Sequence, residues 1–165
     1  SRGLGDVYKR QDIILIFTDG ACAGNGTPSA RAGWAYGVFD EKTLKMTYSQ
    51  KGRVANKQTN NRAELNAIYE ALKYVYDNQT QNTKKVTIYS DSEIMVKGIN
   101  GECARNANRD LWDVVEPLCD AISSKMNIQI NIQYIEAHKD STSLDYYKLN
   151  SIVDKLAKQA SRALF

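Results

Sequence analysis

The chain has 165 residues, 42% of them hydrophobic and 25% charged, with a formal net charge of +3. That size and balance suit one domain with a sizeable core, and they exclude a strongly basic nucleic-acid binder and a low-complexity chain. No apolar run approaches the length a bilayer requires, and the three cysteines (Cys22, Cys103, Cys119) show no metal-ligand spacing and no signal peptide precedes them, so the expectation is no membrane and a reducing, cytoplasmic setting.

Residues 1–11 have no periodicity and are similar to the translation of a sequencing adapter, so the domain is read over 12–165 and an upstream domain is an open expectation. Without that segment's three Lys/Arg and one Asp, the chain's 22 basic and 19 acidic residues become 19 and 18. Any contact with nucleic acid must then be local.

Ile13 to Phe17 is a run of large apolar residues that predicts a strand buried on both faces and ending at Thr18-Asp19-Gly20. Gly24 and Gly26 then bracket Asn25, where the backbone can approach a ligand closely. Ala32–Phe39 and Leu44–Val54 predict two more strands joined by a turn at Asp40-Glu41-Lys42, which makes an antiparallel meander. A helix is predicted from Asn61 to Asp77, with Ile68, Ala71, Leu72 and Val75 as its inward stripe. Glu64 lies one turn before Ile68 on that face, where a carboxylate must be paired or metal-bound.

Val86–Tyr89 predicts a short buried strand that also ends in an acid, Asp91. Helices are predicted over Ser92–Ile99 and Asp110–Ser124, the second with Pro117 positioned to kink or divide it and with Leu111, Val114, Val115, Leu118 and Ile122 at helical spacing. Asn127–Ile135 reads as the fifth strand. The last helix carries Leu149, Ile152, Val153, Leu156 and Ala160 as its stripe, with Asp154 on the flank. Strands in a meander followed by helical crossovers predict a three-layer mixed α/β domain.

Two acids thus end buried strands, a third faces inward from a helix, and a fourth flanks the last helix. Carboxylates crowded together raise one another's proton affinity unless cations neutralise them. Oxygen donors without a Cys or His cluster favour Mg²⁺ or Mn²⁺, and such a set fits two-metal phosphoryl transfer. Spacing alone also allows four ordinary capping or surface acids.

Four strings together resemble type 1 ribonuclease H: Phe17-Thr18-Asp19-Gly20 with Gly24-Asn25-Gly26, Thr59-Asn60-Asn61-Arg62-Ala63-Glu64-Leu65, Ile88-Tyr89-Ser90-Asp91-Ser92, and Asn150-Ser151-Ile152-Val153-Asp154-Lys155-Leu156-Ala157. The resemblance implies a ribonuclease H-like fold, a five-stranded mixed sheet with an antiparallel meander followed by parallel strands, flanked by helices. It implies a Mg²⁺-dependent endonuclease, with two ions for which Mn²⁺ can substitute, cutting the RNA strand of an RNA–DNA hybrid to 5′-phosphate and 3′-hydroxyl ends. Asp19, Glu64, Asp91 and Asp154 become the metal ligands. Asn25, Asn60 and Asn61 fall where the family reads ribose 2′-hydroxyls, a task suited to short amides that donate and accept. Thr59 and Asn108 resemble the pocket for a DNA phosphate, with Lys57 adding charge. Thr59 and the asparagines also suit a helix N-terminus. His138, the single histidine, resembles a catalytic-loop proton shuttle.

The sequence departs from the family pattern in three places. Asp140 stands where a Gly is common, and the loop from His138 to Asn150 is long. The stretch Gly101–Arg109 is short, with only Arg105 and Arg109 basic, where some members carry a Lys- and Trp-rich handle. Weak, strongly salt-dependent hybrid binding by a monomer is the expectation. Two alternatives are a ribonuclease H domain detached from a reverse transcriptase and a non-catalytic hybrid-binding module, the second of which a lost acid would mark.

Overall fold

Strand β1, Ile13–Ala23, sits at the centre of a five-stranded sheet of order β3-β2-β1-β4-β5. The structure is a computed structural model that describes residues 13–78, 83–103, 105–136 and 144–163. The other strands are β2 (Arg31–Asp40), β3 (Met46–Arg53), β4 (Lys85–Ser90) and β5 (Gln129–Tyr134). β1–β2 and β2–β3 are antiparallel, β1–β4 and β4–β5 parallel. This is the ribonuclease H fold expected from the sequence.

Alternation along β1 gives the sheet two cores. Ile16 faces α1 (Asn60–Asn78), α2 (Glu93–Ile99) and α3 (Arg109–Asp120), in a cluster with Leu65, Ile68, Leu72, Val96, Trp112 and Val115. Leu15 and Phe17 face α4 (Leu144–Arg162), packing with Leu149, Val153 and Ala157. Burial on both faces explains the unbroken apolar run. Among the described residues no helix is long and apolar enough to cross a membrane.

Several boundaries differ from the expectation. β1 does not stop at Asp19 but continues to Ala23 in its pairing with β2, whereas its pairing with β4 ends at Thr18↔Ser90. Asp19 is therefore the first residue beyond its parallel neighbour. β3 begins at Met46 because Asp40 Oδ1 accepts from the backbone N–H groups of Lys42 and Thr43 (2.9 and 2.8 Å) and Leu44 turns with φ 60°. α3 runs through Pro117 and widens, a turn later, into a π-helical turn over Ala121–Lys125. β5 starts at Gln129, after Asn127 at φ 57°. Ile152 and Val114 lie outside the stripes assigned to them and are about two-fifths exposed (41% and 44%), because the inward ridge of α4 is Leu149–Val153–Ala157 at i, i+4 spacing and that of α3 runs through Trp112 and Val115.

Candidate active site

The carboxyl edge of β1 and β4 is fixed by side-chain hydrogen bonds. Thr18 Oγ1 donates to Tyr89 O at 2.9 Å, tying the two strand ends together. Beyond β4, Ser90 Oγ accepts from Ser92 N–H (3.1 Å), and Ser92 Oγ accepts from Met95 N–H (3.4 Å) as the N-cap of α2. Asp91 is held between those two serines, facing Asp19.

α1 brings Glu64 to the same place. Its first turn is capped by Thr59, whose Oγ1 accepts from Arg62 N–H at 3.1 Å, and Asn25 Oδ1 accepts from Asn60 N–H at 3.1 Å. The loop carrying Asn25 turns at Gly24, φ 68°, where a side chain would be strained. α1 also lies against Gly20 so closely that a Cβ there would meet Glu64 N at 2.3 Å. A glycine inside a strand permits that approach. Gly20 N–H then donates to both Asp19 Oδ1 (2.8 Å) and Glu64 Oε1.

Three carboxylates result, from Asp19, Glu64 and Asp91, with one oxygen of each within 4.8 Å of the others. Asp19 and Glu64 are almost fully buried (3% and 4% exposed), and Asp19 Oδ2 has no hydrogen-bond partner. Burial pushes the Asp19 carboxyl up to about 8; the charges of Asp91 and Asp154 add to the rise, and the bond shared with Glu64 opposes it. Burial, then the charges of Asp19 and Asp91, hold Glu64 well above the usual carboxylate range. A buried, unpartnered carboxylate oxygen among other acids is a poor arrangement without a cation and a good one with it. The all-oxygen donor set fits Mg²⁺ or Mn²⁺.

Asp154 borders this trio without joining it. Its half-buried side chain pairs with Lys158 Nζ one turn along α4, at 3.1 Å. His138 lies outside the described residues, as do residues 1–12.

The predicted substrate residues gather next to the acids. Asn25, Lys57, Thr59, Asn60, Asn61 and Asn108 line an open basin of about 870 Å³. A second basin, about 500 Å³, is lined by Glu64, Asp91, Ser92, Ile94 and Tyr134, and Asn60 borders both. Tyr134 and Ile94 were not foreseen. An exposed tyrosine ending a strand beside Ser90, its partner in register, was the available signal.

Two arginines that the sequence offers to phosphates are committed elsewhere. Arg62 is buried; its fork grips both oxygens of Asp110 (2.9 and 2.6 Å), while Nε donates to Ala55 O and Nη1 to Asn108 Oδ1. Hydrogen bonding to Arg62 holds the Asp110 carboxyl down at about 2. Asn108, at the N-cap of α3 with φ 60°, thus turns its side chain to Arg62 instead of capping. Arg105 donates to Gly98 O (2.8 Å), Ile99 O and Glu116, and lies over the Trp112 ring. Lys57 and Arg109 remain as the exposed cations of the larger basin, Arg109 only loosely paired with Asp113 at 3.9 Å.

Comparison with known proteins accounts for this geometry. The RNase H family matches residues 11–162. The chain belongs to the ribonuclease H family. It is 33% identical to Ribonuclease HI of Haemophilus influenzae, over 90% of this chain and 89% of that one. It is 30% identical to Ribonuclease H of Saccharomyces cerevisiae over 88% of its own length, but spans only 45% of the yeast protein. Among solved structures, LC11-RNase H1 in complex with RNA/DNA hybrid superposes with a TM-score of 0.67 at 20% identity, covering 90% of this chain and 96% of that one. These likenesses make it a ribonuclease H enzyme of the type 1 kind.

Proposed function

We propose that this ribonuclease H hydrolyses the RNA strand of RNA–DNA hybrids at the Asp19–Glu64–Asp91 trio, with Asp154 as fourth ligand, leaving 5′-phosphate and 3′-hydroxyl ends. The observation that carries the reading is the meeting of two basins at Asn60, one lined by acids and the other by amides and Lys57. When bound at these carboxylates, two divalent cations, Mg²⁺ or Mn²⁺, would activate water and neutralise charge on the leaving oxygen.

The chain's own groups do the rest. Asp19, buried at the centre, fixes the point about which the other acids are arranged. Asn25, Asn60 and Asn61 recognise ribose 2′-hydroxyls, which DNA lacks, while Thr59, Asn108 and Lys57 receive a phosphate of the DNA strand. His138 gives a proton to the leaving oxygen, a transfer that suits an imidazole. His138→Ala should lower turnover by roughly one to two orders of magnitude without abolishing it, at the low end of general acid–base effects; unchanged turnover would remove His138 from the mechanism. The protein works as a monomer in the cytoplasm, consistent with its three free cysteines.

The test is cleavage of a labelled hybrid beside duplex DNA, with Mg²⁺ and with EDTA. Hybrid-specific cutting that EDTA stops is expected. Equal cutting of duplex DNA, or activity in EDTA, rejects the reading.

A further inference from the structure

We propose that Lys158 is the resident counter-ion of Asp154, and that it weakens cation binding at the Asp154 side of the acid set. This rests on the metal-dependent reading above and asks how the chain itself grades that site.

Four acids converge here, yet among the ion pairs of the described residues only one involves any of them, Asp154 with Lys158 at 3.1 Å. Asp19, Glu64 and Asp91 have their oxygens within 4.8 Å of one another and form a ready-made cage. Asp154 is different in two ways. It is absent from that cage, and one of its two carboxylate oxygens, Oδ2, is paired with an ammonium group. It nonetheless lies close enough to Asp19 to act on that carboxyl's charge.

Asp154 and Lys158 are four residues apart on α4, so the helix itself holds the pair in register. A cation approaching Asp154 must displace the ammonium or share the carboxylate with it. Either way the positive charge of Lys158 opposes a second positive charge. In the metal-free protein the same charge relieves crowding among the acids. Lys158 is thus a positioning residue with opposite effects in the two states. A purely structural ion pair would act alike in both.

A charge series at this position tests the idea: Lys158→Arg, Lys158→Gln and Lys158→Glu beside the unaltered protein, with Mn²⁺ alone as probe. Binding is counted by the free-ion magnetic resonance signal and by calorimetry, and melting is followed with and without Mn²⁺. A unit charge a few ångströms from a half-exposed ion site should alter affinity by roughly three- to tenfold. Lys158→Gln should therefore tighten the weaker binding event by that factor, Lys158→Glu should tighten it further, and Lys158→Arg should leave it unchanged. Metal-free melting temperature should rank in the reverse order. Unchanged Mn²⁺ affinity across the series, with melting lowered equally in both states, overturns the inference and leaves a helix-stabilising pair. No Mn²⁺ bound by the unaltered protein, nor any difference in Asp19→Asn, overturns the metal-dependent reading itself.

Discussion

At the acid basin Asp19 and Glu64 are buried, Asp91 is half-buried, and all three are held from different elements, whereas at the amide basin beside it most of the side chains stand in solvent. Asp19, Glu64 and Asp91 come from β1, α1 and the turn after β4, and the fold is tied together around them by Thr18, Ser92 and the close approach at Gly20. Lys57, Asn60 and Asn61 are exposed, and the buried cation near them, Arg62, faces inward to Asp110. The acids are set in place by the core, whereas the amide basin presents neutral amides and a few exposed charges. Electrostatic preorganisation requires rigidity, while contact with a long polyanion tolerates its absence.

The sharpest way to break this contrast is to remove one acid. Asp91→Asn should reduce cleavage by at least about a hundred- to a thousandfold, the loss that follows removal of one preorganised charge-stabilising group. Metal-free melting temperature should hold or rise, because one charge leaves a crowded set. A large fall in melting would instead make Asp91 a structural turn residue. Next in size is Gly20→Ala. A Cβ would meet the backbone of Ala63 and Glu64 at 2.3–2.8 Å together with the Ala63 side chain, and backbone cannot step aside. Overpacking of this kind costs about 1–3 kcal/mol, readable from urea midpoints. An unchanged midpoint would show that α1 is free to shift, and that the acid basin is more rigid than its neighbour only in appearance.

The two basins also predict opposite responses to pH. Asp19 is raised from 3.8 to about 8 in the folded, metal-free protein. The folded state then binds more protons than the unfolded one between those values, so stability present below pH 3.8 is lost as pH rises toward 8. Mg²⁺ should offset that loss, giving a melting increment that grows over the same window. Asp110 is lowered from 3.8 to about 2, so its contribution is present above 3.8 and disappears as pH falls through 2. Its exposure in the ion pair keeps that contribution small. Melting curves from about pH 1.5 to 9, with Asp19→Asn and Asp110→Asn as controls, should assign the upper window to the first and the acid limb to the second. A metal-free profile flat between pH 4 and 8 would contradict the buried, repelled state of Asp19.

Much of the acid basin was legible because burial leaves a trace in sequence. The apolar runs Ile13–Phe17 and Val86–Tyr89 put Asp19 and Asp91 at strand ends, and the period of α1 put Glu64 on its inward face; that the three share one site was implied only by the resemblance to ribonuclease H. Burial on two faces and the 3.6-residue repeat are properties of single segments. What escaped depends on pairs of segments. That β1 outruns β4 by five residues beyond Thr18, and that Gly20 is where α1 touches the strand, are facts of register and approach. The inward turn of Arg62 and Arg105 was equally hidden, since a guanidinium reads as surface charge until its acceptors are placed. Only local spacings gave a hint, such as Asp154 and Lys158 one turn apart.

The smallest effect predicted concerns the amide basin alone. With Arg62 and Arg105 committed to Asp110, Glu116 and backbone carbonyls, the exposed cations there are Lys57 and Arg109. The strong salt dependence expected from the sequence is therefore revised, because counterion release scales with the number of phosphates neutralised. Two contacts give a slope of log affinity against log salt of about −2, far shallower than a heavily basic binder. Binding should be measured with Asp91→Asn as the background, so that the hybrid stays intact. Lys57→Ala and Arg109→Ala should each flatten the slope by about one and weaken binding only a few-fold at physiological salt. Arg105→Ala should leave the slope alone, since its guanidinium is already spent on Glu116 and the end of α2, and should lower melting temperature instead. A slope steeper than about −4, or one that Arg105→Ala reduces, would mean that the short Gly101–Arg109 connection opens to meet phosphate when substrate arrives.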